Sequence, residues 1–344
     1  MSYVNRIGSR YGSSTEVAYT ELMQELSLTG TGWTTYNVFS LYGIPKNSVV
    51  EVFCMNKDQT NQYAVGVRGG DSSLARYLTP SDAPEDTNTG HGYKTYATVN
   101  ASGYIDAYCA NTTYNDVIIV GYWTGVTFTE AFTQISVTAD EDAQFIDTST
   151  LTTPFTGLAN GIANIVFASG DNAARTFGAR NTSSGASRAL NLGRSNTPGD
   201  VFLSFMTSLD SSGACDIYIE YYVNGYGYYM GAFDSSNLTY VETTYNYSAS
   251  ITADSSWHDL DISAALDQDG RPADIQTFHH TDIASGVRSN GSSLARYIRY
   301  DSTSTSYDYG PSMTVNTDAS GILEHIFTTG ATAYLYVYGY YIPS

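Results

Sequence analysis

Hydrophobic and polar residues alternate with a period of two through much of the chain. Tyr104, Asp106 and Tyr108 fall on one side of a stretch whose other side is Ile105, Ala107 and Cys109, the pattern of a half-buried strand. Read this way, residues 17–123 hold eight candidate strands, near 19–28, 33–39, 48–54, 62–68, 74–79, 93–99, 104–109 and 116–123. The breaks between them carry turn formers, among them Gly43-Ile44-Pro45, Gly69-Gly70-Asp71 and Thr79-Pro80-Ser81-Asp82. Taken alone, Ser13 to Leu26 looks like a capped amphipathic helix. Its counterpart further along, Phe128 to Val137, is rich in Thr and Phe, so strand is expected at both.

That counterpart exists because the chain repeats itself. Gly66-Val67-Arg68 through Arg76-Tyr77, written GVRGGDSSLARY, returns as GVRSNGSSLARY over 286–297 and, more worn, as GARNTSSGASRA over 178–189. Each copy holds two arginines eight residues apart: Arg68 and Arg76, Arg180 and Arg188, Arg288 and Arg296. A turn follows each, ending in Gly103, Gly213 or Gly321, and an acid sits three residues past the glycine, Asp106, Asp216 or Glu324. Eighteen residues past each turn glycine comes another glycine, Gly121, Gly231 or Gly339, beside aromatics. The turn glycines are 110 and 108 residues apart, so the repeat is a whole domain. The expected organisation is an N-terminal arm at 1–16 and three units at 17–123, 124–233 and 234–344. Eight short antiparallel strands per unit predict an all-β chain of three tandem β-sandwiches of jelly-roll type.

Composition agrees with strands and narrows the partners. Thirty-one tyrosines, as many glycines and only 14% charged residues suit pleated, half-buried surfaces joined by tight turns. A formal net charge of -19 disfavours nucleic acid and anionic lipid, and no apolar run approaches the roughly 20 residues of a membrane helix. The opening MSYVNRIGSRYGSS lacks a secretory apolar core, so assembly in a host cytoplasm is expected. Its Arg6 and Arg10 make the arm locally basic and suit either attachment or plain disorder. Cys54, Cys109 and Cys215 occupy unmatched places in the repeat and read as thiols rather than a disulfide framework.

The order Trp33-Thr-Thr-Tyr, Gly-Ile-Pro at 43–45, the apolar run to Phe53, Gly-Val-Arg at 66–68, Ser-Ser-Leu-Ala-Arg-Tyr at 72–77, the Asn-Ala-Ser-Gly turn and Val-Gly-Tyr-Trp at 120–123 resembles jelly-roll modules of tailed-bacteriophage structural proteins. Such modules occur in head decoration, head fibres and tail appendages, and the resemblance spans roughly 17–344. The middle unit departs from it, with Ala189 where Tyr77 and Tyr297 stand and no Trp.

The candidate sites have two faces each. The arginine pairs either hold an acidic or sugar ligand by forked hydrogen bonds or pair with Asp106, Asp216 and Glu324 to pin neighbouring strands. Recurrence in every copy favours the brace. Tyr218, Tyr222 and Tyr228, with Tyr334, Tyr336, Tyr338 and Tyr340, which alternate onto one sheet face, suit a subunit interface or a glycan-binding face. Asp267-Gln268-Asp269-Gly270 lacks the later glutamate of a calcium loop, Asp140-Glu141-Asp142 reads as a charged surface loop, and His279-His280 would point to opposite sides of a strand, so no metal site is expected. No cofactor is implied, and no serine elbow or Cys–His pair suggests catalysis. The expectation is a virion protein acting through contacts with itself, foremost as a trimer, and with other virion proteins. A glycan-binding adhesin, contacting surface glycans, and a self-polymerising filament subunit are the alternatives.

Overall fold

A computed structural model of the chain describes residues 16–80, 90–170, 175–192, 201–267, 270–279, 283–300, 310–328 and 333–344. Residues 1–15 of the arm expected at 1–16, Gln268, Asp269, His280 and the side chain of His279 lie outside the described residues. Those described form 24 strands in six antiparallel four-stranded sheets.

The first unit runs β1 (Ala18–Glu25), β2 (Gly32–Asn37), a one-turn helix α1 (Val38–Tyr42), β3 (Val49–Asn56), β4 (Val65–Gly69), β5 (Tyr77–Leu78), β6 (His91–Thr98), β7 (Tyr104–Cys109) and β8 (Asn115–Thr124). Its sheets have the orders β1-β8-β3-β6 and β2-β7-β4-β5, the two interlocked four-strand sheets of a jelly roll. The second unit is β9 (Phe128–Ile135), β10 (Phe145–Asp147), β11 (Ile162–Ser169), β12 (Arg175–Arg180), β13 (Ala189–Leu192), β14 (Val201–Ser208), β15 (Asp216–Ile219) and β16 (Gly225–Phe233). The third is β17 (Leu238–Asn246), β18 (His258–Asp261), β19 (Pro272–His279), β20 (Ile283–Ser289), β21 (Ile298–Tyr300), β22 (Ser312–Asn316), β23 (Ile322–Phe327) and β24 (Ala333–Pro343). Both repeat the first unit's two strand orders. The helix α1 was not foreseen. Asn37 caps it by accepting from Ser40 N, and Gly43 closes it in the left-handed region at φ 72°.

In the first sheet of each unit the inner strands are buried on both faces, while the edge strands β1, β9 and β17 keep exposed positions. Every residue of β3 and of β11 is buried, whereas in β7 Tyr104 and Tyr108 stay half-buried. One face of β3 packs inside the sandwich, where Val50, Val52 and Cys54 meet Val65, Val67, Ile105 and Ile119. The other face meets the neighbouring units. At the centre Val17, Val126 and Leu238, then Tyr19, Phe128 and Tyr240, then Trp123, Phe233 and Tyr341 form one cluster, each trio drawn from equivalent places in the three units. The sandwiches therefore ring a pseudo-threefold axis. One end of the ring gathers Glu16, the linkers between units and the last residue: Thr124 Oγ1 donates to Glu16 O at 3.4 Å, Asp234 N to Thr127 O at 2.9 Å and Ser344 N to Asn237 O at 3.0 Å.

Each ring-facing sheet contains the same irregularity. Glu51 pairs with Gly121 but Val52 pairs with Ile119, leaving Val120 as an extra residue. Met230 and Tyr338 are extra in the same way in β16 and β24. A bulge of this kind leaves the extra residue's backbone unpaired in the ladder. The glycine beside it is required by a ring: a Cβ on Gly121 would meet Tyr19 Oη at 2.1 Å, one on Gly231 would meet Phe128 Cζ at 2.7 Å, and one on Gly339 would meet Tyr240 Cζ at 2.3 Å.

Candidate functional site: arginine pairs and the clasps between units

The two arginines of each pair do different things. Arg68, Arg180 and Arg288 sit half-buried on the outer sheet, directly across the ladder from Asp106, Asp216 and Glu324. Their Nε atoms donate to those carboxylates at 3.1, 3.0 and 2.7 Å. Their Nη1 atoms donate to the carbonyls of Leu74, Ala186 and Leu294, which closes the loop to the second arginine. Each guanidinium also lies 4.0 Å from the centre of an aromatic ring, Trp33, Phe145 or Trp257. Arginine stacked and paired at once braces three strands.

Arg76, Arg188 and Arg296 do not join that acid, which corrects the expectation for the second member of each pair. All three are wholly buried, because their side chains run inward between sandwiches and satisfy backbone that the bulges leave open. Arg76 donates to Met230 O at 2.6 Å, Arg188 to Tyr338 O at 2.9 Å and Arg296 to Val120 O at 3.1 Å. Each acceptor is the extra residue of a bulge in the next unit, so the order is first to second, second to third and third back to first. Each arginine also bonds within its own unit, to Val67 O, Ala179 O or Val287 O. Arg188 and Arg296 reach the hydroxyls of Tyr240 and Tyr19 at 3.2 and 2.9 Å. The motif's leading glycine makes room for this: a Cβ on Gly66, Gly178 or Gly286 would meet the carbonyl oxygen of the second arginine at 2.1, 2.2 or 2.1 Å.

A carboxylate completes each clasp. Glu130 accepts from Gly69 N and Thr98 N at 2.6 and 3.3 Å, Glu242 from Asn181 N and Ser208 N at 3.0 Å, and Glu21 from Ser289 N and Asn316 N at 3.0 and 2.8 Å. Arg76 stands 3.4 Å from Glu130 and Arg188 stands 3.2 Å from Glu242. Burial opposes the charge of Arg296, but Tyr19, Glu21, Glu51 and Tyr96 together outweigh it and its pKa moves up. Sequence reasoning missed these glutamates. The available signal was an aromatic two residues before a glutamate at the head of each unit: Tyr19 and Glu21, Phe128 and Glu130, Tyr240 and Glu242.

Equivalence breaks down near the axis. The matching positions of β3, β11 and β19 carry Glu51, Asn164 and Asp274, and β6 contributes Lys94, where the matching residues are Ser204 and Ser312. The wholly buried Lys94 Nζ lies 2.7 Å from Asp274 and 3.8 Å from Glu51. Burial opposes its charge, but Asp274, Tyr96 and Glu51 together outweigh that, so the ammonium pKa is raised. One lysine thus joins the first unit to the third inside the ring.

The tyrosines do not form one face. The bulge at Tyr338 interrupts the alternation of 334–340: Tyr338 and Tyr340 are buried at 3% and 5% exposure, and Tyr338 meets Phe205 of the second unit edge-on at 5.4 Å. Tyr334 and Tyr336 are half-buried against the core. Tyr218 packs edge-on to Phe145 and Tyr228 stacks on Phe132, so Tyr222, 40% exposed, is the one clearly open ring of the seven. The three cysteines are free and buried, with burial pushing the Cys54 thiol up to about 12. Among the described residues no cluster of His, Cys, Asp and Glu is placed to hold a metal.

No protein-family model and no curated protein matches the chain. Solved structures with some likeness include a chain of Sulfolobus Turreted Icosahedral Virus, at 10% identity and TM-score 0.22 over 96% of this chain and 92% of that one. Another belongs to a structure described as the triple jelly roll fold and turret assembly in an archaeal virus, at 10% identity and TM-score 0.18 over 95% and 90%. The tandem CBM22 domains of Paenibacillus barcinonensis Xyn10C share 9% identity with TM-score 0.17 over 65% and 94%. None superposes closely.

Proposed function

We propose that this chain is a virion structural protein that decorates a capsid as a single-chain pseudo-trimer, seated on a threefold or local threefold position. The observation that carries the reading is the closed set of clasps, Arg76 to Met230, Arg188 to Tyr338 and Arg296 to Val120. A head-to-tail interface makes rings when its rotation closes and filaments when it does not. Here it closes after three units of one chain, which leaves no copy of that interface open to polymerise, and so favours a capped decoration over a filament. The residues brought together brace backbone against backbone and suit structure rather than chemistry. Contacts with other virion proteins then use the outer surface. A reconstruction of the purified particle tests the reading. Three-lobed density on threefold axes is expected; its absence, with the protein missing from the particle by mass spectrometry, contradicts the proposal.

A further inference from the structure

The three copies share the clasps, and their sequences differ at the end of the sandwich away from Glu16 and Thr124. Among the described residues, that end of the first unit includes two turns, 57–64 between β3 and β4 and 110–114 between β7 and β8. They lie side by side because Asn56 and Asn115 pair across β3 and β8. Asn115, 2% exposed, ties them together: its Nδ2 donates to Tyr63 O at 3.2 Å and its Oδ1 accepts from Ala110 N and Asn111 N at 3.0 and 3.1 Å. Asp58, 4% exposed, fixes the first turn by accepting from Thr60 N and Asn61 N at 2.8 and 2.7 Å. Lys57 is neutralised by Asp116 at 2.8 Å.

What these buried groups hold in place is a pair of phenol rings. Tyr63 and Tyr114 lie parallel, 6.0 Å apart with 4° between their planes, and neither belongs to any of the three core clusters. Thr60, Asn61, Gln62, Thr112 and Thr113 are exposed around them. Among the described residues, the clasps between units lie on the ring-facing sheets, and the Tyr63–Tyr114 pair has no part in them.

We infer that the tip is a binding site for a neutral oligosaccharide, with a pyranose ring against the accessible part of the half-buried Tyr63–Tyr114 stack and its hydroxyls on Asn61, Thr112 and Thr113. A tyrosine ring matches the C–H face of a sugar, and amides and hydroxyls both donate and accept as sugar hydroxyls require. Rigid tyrosines amid small polar residues bind at low entropy cost. At the tip Lys57 is paired with Asp116, the Asp58 carboxylate keeps its negative charge while accepting from Thr60 and Asn61, and the chain carries -19 overall, which disfavours anionic sugars. A protein partner needs roughly 800 Å² per side with an apolar centre, and this tip exposes no aliphatic side chain.

The inference is independent of the particle reading and is tested on the isolated chain. Calorimetric titration uses neutral oligosaccharides of glucose, galactose, mannose and N-acetylglucosamine beside sialylated and sulfated ones. Saturable binding of a neutral sugar is expected, weakened about tenfold by Tyr114→Ala through the lost ring contact, and unchanged by Tyr222→Ala on the second unit. Thr113→Arg, an exposed change that blocks the tip without touching the core, is expected to abolish binding at an unchanged melting temperature. No binding in the panel, binding of charged sugars alone, or binding indifferent to both tip variants overturns the assignment.

Discussion

Arg76→Ala is the sharpest test of the clasps. The wild-type guanidinium donates across the unit boundary to Ala131 O at 3.0 Å and Met230 O at 2.6 Å and stands 3.4 Å from Glu130. Alanine leaves a bulge carbonyl and a largely buried carboxylate without their cationic partner. An unsatisfied buried acceptor costs about 1–3 kcal/mol, and removing one member of a buried ion pair about 3–5 kcal/mol. Since these overlap, ~4 kcal/mol is expected in total. Arg68→Ala, whose guanidinium is half-buried on the outer sheet, should lose only ~1 kcal/mol of ion-pair and ring contact. Urea unfolding separates the two, read by the fluorescence of Trp123, which lies fully buried in the central cluster, in a background with Trp33 and Trp257 changed to Phe. The double variant Arg76→Met with Glu130→Gln should cost less than Arg76→Ala, because no buried charge is left alone. Equal losses for Arg68→Ala and Arg76→Ala, or a loss below ~1 kcal/mol for Arg76→Ala, would refute the clasp.

Two further outcomes follow from single positions. Gly286→Ala places a Cβ at 2.1 Å from the Arg296 carbonyl oxygen, so it should destabilise by ~2 kcal/mol or more through forced strand separation, whereas Gly185→Ala, with open space around it, should leave the melting temperature unchanged. His325 is held neutral in the fold, its pKa lowered to about 4 by burial and by His258. Above pH 6.5 both folded and unfolded forms are neutral, so it contributes nothing there. Between pH 6.5 and 4 only the unfolded chain takes the proton, and stability falls by up to ~3 kcal/mol. His325→Leu should flatten that limb of the stability curve, and an unchanged slope would contradict the assignment.

Strand positions and the threefold repeat were legible because alternation and spacing are local properties. Tyr104 to Cys109 shows its two faces in six letters, and the Arg68–Asp106 pair recurs in each unit at separations of 38, 36 and 36 residues. The partners of Arg76 were not legible: Met230 lies 154 residues away, and the carbonyl is available only because of a bulge. A hint was present in Val49 to Met55, nearly continuous in apolar residues, which marks a strand buried on both faces and so an interface behind it. The tyrosine run at 334–340 misled for the converse reason, since strict alternation assumes an unbroken ladder and Tyr338 breaks it.

Native mass spectrometry of the purified chain tests the central claim most directly. A closed ring of three units predicts one species at the single-chain mass of 37.3 kDa, independent of concentration. A stable assembly at three times that mass, or a ladder of growing oligomers, would contradict it.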